Sequence, residues 1–336
     1  MTRVVVGIVT YNSGAHWSAC YEALQMQRTQ HGGPLQLDIR LYDNASSDTT
    51  IVEIRRFAPD VPLKVSPINR GYGVAHNALI TAANLQIGDF YLALNPDVVL
   101  QERYIVRLVE VLQNDVKAGW ATGALYQPDG RLYSLGHALC RDGYAINIGY
   151  GMEVTSVGTQ WIVPTEVFGA PGAAVLIKAE LLRDLGTAFD ETFFVYNEDV
   201  DFDWRARRRG WRCWYVPTAR AIHEGSHANA EGQARAVVNR WLMILKHATT
   251  WDLLVYHPPR WIVHILIRFC ITPHRALWML KRFFRLAPHA WQARRTDPPR
   301  RWDANMAMWF AWAETQPTMQ AQSFGQRWRE LRKKRL

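Results

Sequence analysis

Cysteine is scarce in this chain. Its 336 residues hold four, Cys20, Cys140, Cys213 and Cys270, widely scattered and with no C-x-x-C pair. That excludes a disulfide framework and a zinc ribbon, and it fits a reducing compartment. No run of about 18 uncharged apolar residues occurs, so no ordinary membrane span is expected. The apolar stretch from Val4 to Val9 is too short for the core of a signal peptide and no cleavage site follows, so no secretory leader is expected either. Carboxylates are scarce in one part only. Residues 235–336 hold 5 Asp+Glu against 19 Lys+Arg, whereas residues 1–234 hold 25 against 20. Nine of the 15 tryptophans also lie after residue 235. The chain therefore reads as a slightly acidic body, residues 1–234, followed by a basic, Trp-rich extension, residues 235–336.

What is present begins with alternating strand and helix signals. Val4–Thr10 is a continuous β-branched run, as in a parallel sheet covered on both faces. The loop Tyr11-Asn12-Ser13-Gly14 ends it, and a helical pattern follows over about His16–Gln27. Leu37–Tyr42 is the next strand, closed by Asp43-Asn44-Ala45-Ser46-Ser47-Asp48, with a helix to about Phe57. Leu63–Ser66 leads into Asn69-Arg70-Gly71-Tyr72-Gly73 and a helix over Val74–Asn84. Phe90–Leu94 ends in Asn95-Pro96-Asp97. Repeated βα units of this kind predict a doubly wound, mostly parallel twisted sheet flanked by helices, an α/β Rossmann-like fold whose ligands bind at the carboxyl ends of the strands. Every polar loop just named lies at such an end. Residues 127–168 are poorly patterned. Gly169-Ala170-Pro171-Gly172 reads as a small-residue loop entering a strand.

The densest chemistry follows in Phe193–Arg205. Four carboxylates, Glu198, Asp199, Asp201 and Asp203, fall within six residues. Arg205, Arg207, Arg208 and Arg209 come next, then Gly210. Asn197 as N-cap, acids in the first turn, arginines in the last and glycine at the stop describe a helix that needs no function. The clustering is what capping leaves over, because like charges this close repel unless a cation, a proton or a buried partner uses them.

Thr10-Tyr11-Asn12, Asp43-Asn44-Ala45-Ser46-Ser47-Asp48, Asn69-Arg70-Gly71, Asn95-Pro96-Asp97 and Asn197-Glu198-Asp199-Val200-Asp201 occur in the order found in family 2 glycosyltransferases. Over about residues 3–230 the chain resembles that family, in particular its rhamnosyltransferase-like branch, which builds bacterial surface polysaccharides. The resemblance implies the GT-A fold and transfer of a sugar from a nucleotide-sugar donor with inversion at the anomeric carbon. It implies a nucleotide-sugar pocket of Thr10, Tyr11, Asn12, Asp43, Asn44, Arg70 and Asn95. In that pocket Asp43 would accept from the ring N–H of uracil or thymine, and Arg70 would reach the base or the diphosphate. Asp97 corresponds to the family's metal-binding aspartate and His223 to its histidine near the diphosphate or metal. Asn95 stands where the first aspartate of Asp-x-Asp is usual. A hard ion, Mg²⁺ or Mn²⁺, is the implied cofactor. Asp199 is the implied base, while Glu198 and Asp201 stay open as catalytic carboxylates; Asp201, four residues before Arg205, is also a natural ion-pair partner for it.

His223-Glu224-Gly225-Ser226-His227 matches H-E-x-x-H, but Gly225 and Ser226 interrupt the helix that a zinc peptidase needs, and Trp211–Ile222 before it reads as strand broken by Pro217. After residue 235, helical patterns cover Val237–Ala248, Trp261–Cys270 and Ala276–Leu286. Leu277, Leu280 and Phe284 share one face while Lys281, Arg282 and Arg285 gather on another, which suits a helix at an anionic membrane surface. No recognition motif supports nucleic acid as the partner. The expected partners are a nucleotide-sugar donor and a saccharide or lipid-linked acceptor, with the protein cytoplasmic at the inner face of the membrane. Two rival readings are a catalytically silent nucleotide-sugar-binding module and a nucleotidyltransferase. The second normally needs a glycine-rich basic phosphate loop, which Tyr11-Asn12-Ser13-Gly14 is not.

Overall fold

Strand β1 (Thr2–Thr10) pairs in parallel with β2 (Leu35–Asp43) and with β4 (Phe90–Leu94), and Val4, Val6, Ile8 and all of β4 are buried. The computed structural model describes residues 2–29, 35–225, 229–297 and 304–315. Between these strands run α1 (Gly14–Thr29), α2 (Thr50–Phe57), β3 (Leu63–Val65) and α3 (Tyr72–Ala83). Then come β5 (Val98–Leu100), α4 (Tyr104–Asn114), β6 (Ala118–Tyr126), and three short strands, β7 (Leu132–Ser134), β8 (His137–Leu139) and β9 (Ala145–Asn147). Next are β10 (Thr165–Val167), β11 (Ala174–Lys178), α5 (Ala179–Leu185), α6 (Glu198–Arg208) and β12 (Arg212–His223). The main sheet runs β10-β12-β6-β11-β4-β1-β2-β3, with β5 on β12 and β7 on β6. The side from β4 to β3 is all parallel, β11 is antiparallel to both its neighbours, and β12 is parallel to β6. Apolar clusters fill both faces, as the unbroken Val/Ile/Leu runs require.

Register brings the loops together. Thr10 pairs with Asp43 as the last rung of β1 and β2, so the loops after both strands start level. His223 pairs antiparallel with Val98, which places the end of β12 beside the Asn95-Pro96-Asp97 turn. Strand β12 is continuous through Pro217, contrary to the expected break. The lost N–H shows instead as a register slip against β6 between Val216 and Arg220.

Beyond β12 the chain is helical: α7 (Ala230–His247), a π-helical turn (Asp252–Tyr256), α8 (His257–Ile271), α9 (Pro273–Thr296) and α10 (Ala304–Glu314). The compositional change near residue 235 falls inside α7 and not between elements. Trp204 of α6, Trp241 and Met243 of α7, Met279 of α9 and Phe310 of α10 share one apolar cluster, so the extension is packed on the back of the acidic helix.

Candidate active site

The first three strand-end loops are tied to one another. Asp43 is fully buried; its Oδ1 accepts from the Thr10 hydroxyl at 2.8 Å and the Ser46 hydroxyl at 2.5 Å, and its Oδ2 from the Ser46 N–H at 2.9 Å. Asn12 Oδ1 accepts from the Ser47 N–H at 2.8 Å, and the Asn12 N–H donates to Ser46 Oγ at 2.9 Å. Asn44 Oδ1 accepts from the Arg70 N–H at 3.1 Å while its Nδ2 donates to the Gly71 carbonyl at 3.1 Å. Thr10, Asp43 and Asn44 thus brace the loops, with the Asp43 carboxylate accepting three hydrogen bonds from Thr10 and Ser46. Tyr11, Asn12 and the Arg70 guanidinium are the exposed groups on this rim.

Asp97 Oδ1 lies 3.4 Å from His223 Nε2, and the Glu224 N–H donates to the Asp97 carbonyl at 3.1 Å. Burial alone would raise the Asp97 carboxyl; the adjoining His223 imidazole holds it below the usual carboxylate range, so it is ionised at neutral pH. His223 is buried, its Nδ1 has no partner among the described residues, and its ring sits 4.3 Å from that of Tyr133. His16 Nδ1 and Glu224 Oε2 form a second pair at 3.1 Å on this rim. Asn95 is half-buried on the same turn. Among the described residues no group of three His, Cys, Asp or Glu side chains forms a metal cage. One carboxylate and one imidazole fit a Mg²⁺ or Mn²⁺ ion only if donor phosphate oxygens and water complete its shell, which is how such ions are commonly held with phosphate ligands. For the H-E-x-x-H match, His223 ends a strand and starts no helix, and His227 lies outside the described residues.

The acidic helix is entered through a strained loop. Phe194, Tyr196 and Asn197 have φ of 67°, 74° and 66°, a region that non-glycine residues seldom occupy. Asn197 occupies the N-cap position but its side chain makes no capping bond; its Nδ2 donates to the Ala236 carbonyl of α7 at 2.7 Å. Fully buried Asn239, also on α7, donates to the carbonyls of Phe193, Val195 and Tyr196 at 2.9, 3.0 and 2.8 Å. The Tyr72 N–H donates to the Phe194 carbonyl at 2.7 Å, and a Cβ on Gly71 would stand 2.3 Å from that oxygen. The Asn69-Arg70-Gly71 loop therefore abuts the acidic helix, and Gly71, at φ 87°, makes the approach possible.

Two of the four carboxylates face the strand-end loops and two are committed elsewhere. Asp199 Oδ2 accepts from the Gly172 N–H at 3.0 Å and its Oδ1 from the Val200 N–H at 2.9 Å. The Gly172 carbonyl in turn accepts from the Tyr72 hydroxyl at 2.7 Å, so the small-residue loop orients Asp199. Glu198 is buried and its Oε2 has no partner among the described residues. Burial and the neighbouring Asp199 push its carboxyl up to about 8. Asp201 is turned away, which corrects its place among the catalytic candidates. Its Oδ1 meets Lys246 Nζ at 2.5 Å and His247 Nε2 at 2.8 Å, and its Oδ2 meets Arg205 Nε at 2.9 Å. Asp203 accepts from Trp120 Nε1 at 2.8 Å and from the Ala170 N–H at 3.2 Å, and sits 2.9 Å from His137 Nδ1. A Cβ on Gly169 would stand 1.8 Å from Asp203 Oδ2, so this packing demands glycine there.

Tyr133, Tyr72 and Asn239 escape a sequence-only reading. Tyr133 is the most telling of them. Burial, with the carboxylates of Asp199 and Asp97, pushes its phenol up to about 12, and its ring meets that of His223 edge-on at 4.3 Å. A cavity of about 420 Å³ lies on the α7 side of α6, lined by Trp204, His247 and Phe310 among others. None of the strand-end loop residues lines it.

The sequence pattern described as "Glycosyltransferase like family 2" matches residues 3–244. An N-acetylglucosaminyl-diphospho-decaprenol L-rhamnosyltransferase of Mycobacterium tuberculosis is 28% identical over 252 residues, covering 70% of this chain and 80% of that protein. Rhamnosyltransferase WbbL of Escherichia coli is 25% identical over 181 residues, covering 51% of this chain and 67% of that protein. Two solved structures share the fold. GalNAc-T7 with UDP, GalNAc and Mn²⁺ superposes with a TM-score of 0.56 at 15% identity, over 74% of this chain and 48% of that one. This chain thus spans about half of that structure's length. The mannosyltransferase PcManGT from Pyrobaculum calidifontis, in complex with GDP-Man and Mn²⁺, gives 0.51 at 18% identity, over 95% and 84%.

Proposed function

The chain belongs to glycosyltransferase family 2, and from that premise we propose that it is an inverting, metal-assisted transferase acting on a lipid-linked saccharide. The donor is a dTDP- or UDP-sugar, dTDP-rhamnose being the first to test, and the product enters surface polysaccharide. The observation that carries the reading is that one small-residue loop joins the two carboxylate sites: the Gly172 N–H donates to Asp199 Oδ2 at 3.0 Å, and the next carbonyl, that of Ala173, accepts from the Asn95 N–H of the Asn95-Pro96-Asp97 turn at 2.8 Å.

Arg70, exposed beside Asn44, takes the base or the diphosphate, and Tyr11 and Asn12 line the same rim. Asp97, His223 and Asn95 lie where the diphosphate leaves. Asp97 and His223 are the groups that would hold a divalent ion, which when bound neutralises charge developing on the leaving diphosphate. Asp199 takes the proton of the acceptor hydroxyl as that oxygen attacks C1. The new C–O bond forms while the bond from C1 to the diphosphate oxygen breaks, and the nucleoside diphosphate departs with the electron pair. Gly172 and Val200 N–H groups fix the Asp199 carboxylate for that task. Glu198, raised toward neutrality, adds little negative charge beside it. A lipid-linked acceptor calls for action at a membrane surface, for which the basic extension is suited.

The test is a mass-spectrometric screen of dTDP- and UDP-sugars for binding, with thermal stabilisation by UDP, dTDP and GDP compared at one concentration. Pyrimidine diphosphates should stabilise more. Equal stabilisation by GDP contradicts the pyrimidine assignment, and binding without transfer or donor hydrolysis favours a silent binding module.

A further inference from the structure

The sequence places an amphipathic face on residues 276–286, yet the continuous apolar surface lies one element earlier. Trp251, just before the π-helical turn, and Leu254 within it are 68% and 73% exposed, and Ile262 and Leu266 of α8 are both 58% exposed. Val255, Val263 and Phe269 are exposed as well. At 100° per residue, Ile262, Leu266 and Phe269 of α8 fall on one side of the helix. The other side is spent on packing: the Trp261 ring lies tilted against Trp241 of α7 and edge-on to Phe283 of α9, and His257 is buried. The outer stripe is therefore a surplus that the fold does not use.

Charge identifies what it faces. From residue 253 to residue 296 there is no Asp or Glu, against eight Lys and Arg. Arg282 and Arg294 are buried, Arg282 donating to the Thr192 carbonyl at 3.3 Å and Arg294 to the Ala248 carbonyl at 2.5 Å. Arg260, Lys281, Arg285 and Arg295 are exposed. An apolar stripe with aromatic residues at its ends, flanked by cations and free of carboxylates, matches the acyl–headgroup boundary of an anionic bilayer. Among the described residues no helix is long and apolar enough to cross a membrane, so such a surface lies on the bilayer and does not span it.

We propose that the outer face of α8, with the turn before it, is a docking surface that seats in the interface of an anionic lipid membrane. Its purpose rests on the lipid-linked-acceptor reading; its evidence does not. Leu254, Ile262 and Leu266 enter the boundary, and Lys281 and Arg285 meet the headgroup phosphates.

Cys270 is exposed at the end of α8 while Cys20, Cys140 and Cys213 are buried, so the full chain offers one native site for a nitroxide label. The labelled protein should bind vesicles containing phosphatidylglycerol at least tenfold more tightly than pure phosphatidylcholine vesicles. On binding, the label should become protected from an aqueous nickel chelate and open to oxygen. Ile262→Asp/Leu266→Asp changes only exposed positions. Two apolar side chains lose their burial in the boundary, so the pair should weaken vesicle binding at least tenfold with the melting temperature unchanged. Failure of the purified protein to bind anionic vesicles, unchanged binding in the double variant, or a label that stays in water on bound protein overturns the proposal. Vesicle binding of the predicted kind without transfer to any lipid-linked saccharide upholds the docking face and overturns the acceptor reading instead.

Discussion

The donor-side loops and the acidic helix meet at one sheet edge, yet they are held by different means. On the donor side each polar group has a partner in the next loop: Thr10 with Asp43, Asn12 with Ser46 and Ser47, Asn44 with Arg70 and Gly71. The pocket wall is therefore set before a ligand arrives. On the acidic side three residues, Phe194, Tyr196 and Asn197, have positive φ, against Asn12 and Ala45 on the donor side, and among the described residues one buried carboxyl oxygen lacks a partner. Each such backbone conformation costs on the order of 1–3 kcal/mol and persists only where its surroundings enforce it. Here the enforcement comes from α7, through Asn239 and the Ala236 carbonyl. The difference teaches that the two sides of the sheet edge have separate supports, and that the basic extension begins by holding the loop into the acidic helix.

Three substitutions should sharpen that contrast, and they are taken by size of effect. Asp97→Ala removes a charge at the leaving-group end while leaving the donor-loop bracing intact. Loss of one electrostatic stabiliser is typically worth about 10²–10³ in rate, so transfer should fall by that order with little change in melting temperature. Full activity of Asp97→Ala in EDTA contradicts the metal assignment. Asp201→Asn should act on stability instead. It unbalances a buried cluster with Lys246, His247 and Arg205, a change commonly worth about 3–5 kcal/mol. Burial would raise Asp201, but Lys246 and Arg205 hold it well below the usual carboxylate range. Because the folded value is depressed, its stabilisation is present above the unfolded value near 3.9 and is lost as pH falls through the folded one. The gap in melting temperature between wild type and Asp201→Asn should thus be full at pH 7 and close on acidification below about pH 4. A gap independent of pH breaks the ion-cluster account. Asn239→Ala should be smallest, about 1–3 kcal/mol for carbonyls left unpaired. Its diagnostic is kinetic: kcat should drop while donor affinity holds, because Asn239 supports only the acidic side. Equal loss of donor affinity would erase the distinction between the two regions.

Much of the sheet was legible because β1 and β4 are uninterrupted apolar runs and each ends in an Asx-rich loop. The Thr10–Asp43 rung then follows from strand register. What the residues do once assembled was less so. The bonds that Asp43 takes from Ser46, three residues on, are set by turn geometry, which has no period to read. Asp201 and Asp203 look equivalent to Asp199 along the chain. Helical rotation points them at α7 and at Trp120 and His137, partners that are remote in sequence. Tyr133 lay in a stretch whose strands are three residues long, too short for alternation to show. Asn239 is one polar residue in an amphipathic helix, and nothing in its neighbours marks it. Which helix carries the exposed apolar face was not legible, because the outward face of α8 or α9 depends on how both pack on Trp241.

The most direct measurement of the central claim is donor affinity and single-turnover transfer on Asp199→Asn and Glu198→Gln, assayed side by side with the wild type. General-base help is typically worth about 10²–10⁴ in rate. The account predicts that Asp199→Asn binds donor as the wild type does and loses turnover by that factor, while Glu198→Gln loses less. Near-wild-type transfer by Asp199→Asn, with Glu198→Gln inactive, would contradict it and move the base one residue back on the same helix.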